Sequence, residues 1–330
     1  MAIGFNLSNK IGGGGADVYI DGIKQTDIDI VSLKNIPTQV ISYSISTLPY
    51  SLAYGSAVVY NNEIHILGGS SNGTKHYKFN GTSWTEVSTL PYDFLSGSAV
   101  VYNNEIHILG GINNGTKHYK FNVNDTSWTE VSTLPYDFLR GSAVVYNNEI
   151  HILGGSNNGT KHYKFNVNDT SWTEVSTLPY DFSQGASVIY NSEIHILGGG
   201  SSNNYTKHYK FNGTSWTEVS TLPYSFLQGS AVVYNDEIQI LSSGYSNNLY
   251  KHSKWNGTSW TELSILPYSF VYGSAVVYKN EINILGGSSG YGNNHYSISL
   301  TIDKLVESIN WQIKIVVYNN KEIICLFCYY

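Results

Sequence analysis

Residues 141–155 read GSAVVYNNEIHILGG, and this string recurs around the chain. It stands unchanged at residues 55–69 and 97–111. It returns as GASVIYNSEIHILGG from Gly185, GSAVVYNDEIQILSS from Gly229 and GSAVVYKNEINILGG from Gly273. The six copies start 42, 44, 44, 44 and 44 residues apart. Self-similarity at a fixed period of this length is the mark of a repeat architecture, so the array takes precedence over any count of domains from length.

One full unit, residues 141–179, carries four short strand patterns. Ser142 to Tyr146 is β-branched and aromatic, Asn147-Asn148 is a tight polar turn, and Glu149 to Leu153 alternates again before Gly154-Gly155 opens a loop. Lys161 to Phe165 and Ser171 to Val175 follow, each bounded by Asn, Asp, Thr or Gly. A lone four-stranded meander leaves its faces uncovered, and radial stacking of copies covers them, which predicts a propeller.

The order of the pieces predicts how the ring closes. VISYSISTLPY, from Val40, ends in the TLPY that follows later copies at Leu90, Leu134, Leu178 and Leu222, but here it precedes the first core string. The sixth copy runs through three strands to about Leu300 and has no TSWTE segment after it. Residues 40–48 are therefore expected to supply the outer strand of the last blade, removing the open sheet edges of a linear array. That borrowed strand has no Trp, so its packing is expected to differ.

The units resemble kelch repeats. Gly154-Gly155 matches the glycine pair that ends the second strand in that family. Phe165 and Trp172, like Phe121 and Trp128, flank the third turn at the family's spacing. Phe79 with Trp84, Phe211 with Trp216 and Trp255 with Trp260 are two residues closer, and blade five has Ser242-Ser243 in place of the glycine pair. The resemblance spans roughly residues 40–300. It implies an all-β, six-bladed kelch-like propeller of four-stranded blades over residues 37–300. Before it, residues 1–36 read as an attachment segment, with the glycine run 12–15 as a joint and Asp21-Gly22 as a hairpin turn. After it, residues 301–330 read as an apolar tail or cap, because IVVYNNKEIICLF echoes the core string without its glycines.

Charged residues make up 13% of the chain, and the net charge of −6 leaves no basic stripe for nucleic acid. No apolar run reaches the length of a membrane span and no secretory leader is evident, which leaves the location open between a virion or phage-tail-like particle and the cytoplasm. Cys325 and Cys328 are half of a zinc site at most. Ten histidines fall on the second strands (His65, His107, His151, His195) and third strands (His76, His118, His162, His208, His252, His295). Neighbouring sheets lie about 10 Å apart, too far for shared ligation, so these read as inter-strand partners and no metal or cofactor is expected. Near-identical blades repeat like groups, whereas catalysis needs unlike groups at one centre, so a non-catalytic role is expected.

Variation among the copies marks the candidate binding face. In the link that leads into each core string, the residue before the glycine is Tyr54, Ser96, Arg140, Gln184, Gln228 or Tyr272. In kelch propellers this link commonly lines the ligand face, so the resemblance makes these six the leading contacts. Tyr92, Tyr136 and Tyr180 of the links join them, with Tyr205, Tyr245 and Tyr291 of the loops between second and third strands. Flat aromatics among hydroxyls and amides suit a polyhydroxylated ligand or a protein surface. The expected function is a binding module for a surface glycan or surface protein. The glycine joint and the nearly charge-free loops resemble a phage-tail or bacteriocin-particle receptor-binding subunit, with residues 1–36 and 301–330 as the particle or homo-oligomer contact. Alternatives are an intracellular protein-interaction scaffold and a sugar-processing enzyme similar to kelch-type mutarotases.

Overall fold

The computed structural model describes residues 18–20, 23–25, 29–30, 41–70, 72–200, 204–241, 250–263, 265–287, 292–299, 311–318 and 321–328. The chain divides into two compact units, Val40–Leu300 and the paired ends Met1–Gln39 with Thr301–Tyr330.

Val40–Leu300 is a six-bladed propeller whose blades are four-stranded antiparallel sheets. Blade three shows the plan. Ser142–Tyr146 is innermost, followed outward by Glu149–Leu153, His162–Asn166 and Ser171–Glu174. Tyr146 pairs with Glu149 across Asn147 and Asn148, whose φ values of 48° and 59° make the two-residue left-handed turn that suits a twisted hairpin. Asn tolerates that region, which explains the recurring Asn-Asn pair.

The innermost strands neighbour one another in a closed circle from blade one to blade six and back. Each second strand is therefore covered on both faces, and Ile150, Ile152 and Leu153 are fully buried. Six equivalent apolar clusters lie between successive blades. The one between blades two and three joins Val100, Tyr102 and Leu109 to Leu134, Phe138, Ile150, Ile152 and Phe165. Burying each such side chain is worth about 1.5–3 kcal/mol, so the interfaces carry the fold.

Closure follows the expected route. Ile41–Thr47 pairs antiparallel with Asn294–Ser299 as the outer strand of blade six. In blade one Phe79 faces Trp84 across the equivalent pair of strands, whereas here Ile298 faces Ser42. The neighbouring site changes too. Five blades bind a second-strand glutamate with a third-strand lysine, as Lys78 does Glu63 at 2.9 Å. In blade six Glu281 accepts hydrogen bonds from Tyr43 Oη at 2.6 Å and Ser297 Oγ at 2.5 Å.

In the other unit, Val18–Ile20 and Ile23–Gln25 form a hairpin with Ile20 opposite Ile23. Trp311–Tyr318 pairs with Lys321–Cys328 on one side and with Asp29–Ile30 on the other, giving a three-stranded sheet built from both ends of the chain.

Candidate functional site

Each link between blades is anchored before it reaches the propeller axis. Phe138 is fully buried, its N–H donates to Gly115 O at 2.9 Å, and its carbonyl accepts from Gly111 N at 3.0 Å. Gly141 then has to be glycine, because a Cβ there would lie 2.2 Å from Phe138 Cε2 and 2.8 Å from Leu153 O. The residue between anchor and glycine is thus forced to the end of the circle of inner strands.

Those six residues form a ring. Ser96 N donates to Tyr54 O, Arg140 N to Ser96 O, Gln184 N to Arg140 O, Gln228 N to Gln184 O, Tyr272 N to Gln228 O and Tyr54 N to Tyr272 O, at 2.7 to 3.0 Å. All six take left-handed backbone angles, with φ between 58° and 62°. With their glycines they line a solvent-open mouth. A side chain in that conformation costs about 1 kcal/mol or more relative to glycine. The hydrogen-bonded ring does not account for the cost, because glycine would make the same backbone bonds. What the cost retains is side chains of four kinds around one opening.

The side chains sort into two pairs and a gap. Tyr54 and Tyr272 stack with ring centroids 4.0 Å apart at 29°. Partial burial, then a hydrogen bond with Tyr272, pushes the Tyr54 hydroxyl up to about 12, against a downward pull from Arg140. Gln228 Nε2 donates to Gln184 Oε1. Between the pairs lie Ser96, which is 9% exposed, and Arg140, which is exposed. Ser96 Oγ is buried without a hydrogen-bond partner.

The remaining expected contacts lie elsewhere. Tyr92, Tyr136 and Tyr180 donate their hydroxyls to the carbonyls of Gly110, Gly154 and Gly198 at 3.0, 2.9 and 2.7 Å, which commits them to the scaffold. Tyr205 is half-buried in the loop of blade four, where its carbonyl accepts from Phe226 N at 2.8 Å, and it does not line the mouth. Tyr245 and Tyr291 lie outside the described residues, as does the Ser242-Ser243 pair. The Asn-Gly-Thr turn between the two outer strands of blade one closes on itself: Asn80 Oδ1 accepts from Thr82 N, Thr82 Oγ1 and Ser83 N. The sequence marked the six mouth positions by their variability but carried no sign of the backbone ring or of how the side chains pair.

All ten histidines are buried. In blade six Asn283 stands where blades one to four have the second-strand histidine. Its Nδ2 donates to Glu281 O at 3.2 Å, so Oδ1 faces His295 Nε2 at 2.9 Å and that nitrogen must carry the proton. His295 Nδ1 then accepts from Ser46 Oγ at 2.9 Å, and Ser46 accepts from Trp84 Nε1 of blade one at 3.0 Å. By the same polarity, His76 Nε2 donates to His65 Nδ1 at 2.8 Å, Ser88 Oγ donates to His76 Nδ1 at 2.9 Å and Trp128 Nε1 donates to Ser88 Oγ at 3.0 Å. Burial, the largest cause throughout, lowers His65, His107, His151, His195 and His295 to about 4 and His76 and His118 to about 2. The imidazoles are thus neutral links between blades. Among the described residues no group of three or more His, Cys, Asp or Glu is placed to hold a metal ion.

No sequence family model matches the chain, and no curated protein does. Among solved structures 313 chains match, a breadth that speaks to architecture and not to one activity. The structure titled "Structure of YjhT" aligns with a TM-score of 0.68 at 16% identity, over 85% of this chain and 99% of that one. At that identity the likeness establishes a shared fold, and the chain is a six-bladed β-propeller.

Proposed function

We propose that the protein is a non-catalytic binding module, built from kelch-type repeats, that takes a surface glycan at the mouth of its propeller. One observation carries this reading: six non-glycine residues of four kinds occupy left-handed positions where glycine would serve the backbone better. A stacked tyrosine pair with amides, a hydroxyl and a guanidinium around it offers a flat apolar face beside hydrogen-bonding groups, the combination that a sugar ring presents in return. The paired-ends unit would then serve attachment, as in a tail-like particle.

Glycan arrays probed with the full chain test this reading. Binding to a defined set of sugars is expected, and Tyr272→Ala should weaken it about tenfold by removing half of the stacked pair. A blank array at high protein concentration, with capture by a protein bait instead, would replace the glycan with a protein partner.

A further inference from the structure

Arg140 is the only arginine in the 330 residues, and it stands at the mouth. The lysines of the propeller are engaged. Lys75, Lys78, Lys117, Lys120, Lys161, Lys164, Lys207, Lys210, Lys251 and Lys254 each hold a glutamate of their own blade within 3.4 Å, and Lys279 lies over the Tyr278 ring. Arg140 has no ion-pair partner among the described residues. Asp137, three residues before it on the same link, packs against Gly115 instead.

A second, independent observation lies next to it. Ser96 precedes Arg140 in the ring, its carbonyl accepting from Arg140 N at 2.9 Å, and its hydroxyl is buried with no partner. A buried hydroxyl that donates to nothing is costly, and native proteins leave few. The flanking groups do not relieve it, since Gln184 and Gln228 bond each other and Tyr54 and Tyr272 stack. The mouth is thus satisfied on two sides and open at the neighbouring positions Ser96 and Arg140, an orphaned hydroxyl and an unpaired cation.

Resting on the glycan reading, we infer that Ser96 and Arg140 form an anion subsite that takes an acidic substituent of the sugar, a carboxylate or a sulfate ester. The guanidinium fork matches two oxygens of such a group, and the Ser96 hydroxyl donates to a third contact on the same substituent. A lysine would supply charge without that planar match, which accounts for an arginine here in a chain that otherwise uses lysine.

Having one arginine makes the test direct. The full chain labelled with ¹⁵N-arginine gives a single side-chain Nε–H resonance, and this signal is followed while glucuronate, glucose 6-sulfate, glucose or inorganic sulfate is added. The acidic sugars are expected to shift it saturably at concentrations at least about tenfold below those of glucose and of inorganic sulfate. Ser96→Ala should weaken that response severalfold, and Arg140→Gln should abolish acidic-sugar binding measured by calorimetry. A signal that no acidic sugar moves overturns the subsite. So does one moved as readily by inorganic sulfate, which would be an adventitious ion only. A glycan array on which neutral sugars bind as well as acidic ones, unaffected by Arg140→Gln, overturns the subsite while leaving the glycan reading intact. A blank array with a resonance that still answers glucuronate removes the glycan reading and keeps the subsite.

Discussion

Arg140 illustrates how a single residue can be held against its own backbone preference. Arg140→Gly should relieve the left-handed strain and touch no ion pair, raising stability by up to about 1 kcal/mol in a denaturant titration even as acidic-ligand binding is lost. A loss of stability would mean that the side chain supports the fold. The histidine relays make the opposite case. Ser132→Ala would leave Trp172 Nε1 and His118 Nδ1 without a partner, at a cost of about 1–3 kcal/mol for each. His107→Asn should cost less, because Asn283 and Gln239 already supply the same acceptor in blades six and five. The repeated histidines were visible in the sequence, but their proton positions were not. Those follow only from the orientation of Asn283, which no spacing reveals.

At the scale of one element, the strand Ile41–Thr47 carries the closure. Its role was legible because TLPY precedes the first core string instead of following it, an order that makes sense only in a ring. The missing tryptophan was legible too, but the pairing of Ile298 with Ser42 and the replacement of lysine by Tyr43 at Glu281 were not, since they depend on register across residues far apart in the chain. Leu48 and Leu222 are equivalent core residues, 2% and 3% exposed, and replacing either by Ala should cost about 2–5 kcal/mol. Their consequences diverge, however. Leu222 lies within a continuous chain, whereas Leu48 helps fasten a seam with no covalent link across it. Limited proteolysis under native conditions should therefore cut L48A near the seam well before it cuts L222A, and equal protection would contradict a seam that depends on noncovalent contacts alone.

For the whole molecule the buried histidines set the response to acid. Burial holds them well below the ordinary value of 6.5, so the folded state binds fewer protons than the unfolded chain in mildly acidic solution. Stability is therefore fully present above about pH 6.5 and falls with pH, toward about 4 for His65 and His107 and toward about 2 for His76 and His118. At pH 5 each histidine held neutral costs about 2 kcal/mol relative to neutral pH. Tryptophan fluorescence should report one steep acid transition that takes up several protons. Replacing His65 by Gln should move it to lower pH, and an unmoved transition would show that the relays are not its cause.

The amide ring at the mouth has an electrical corollary. Its six donor-to-acceptor vectors run nose to tail around the circumference, so their components in the plane of the ring cancel. The frame of the opening for that reason favours no one blade over another, unlike a helix end, which imposes its own polarity on whatever approaches. The sign and strength of the field there belong to whichever residues occupy the six posts, so exchanging one of them can retune charge preference without rebuilding the wheel.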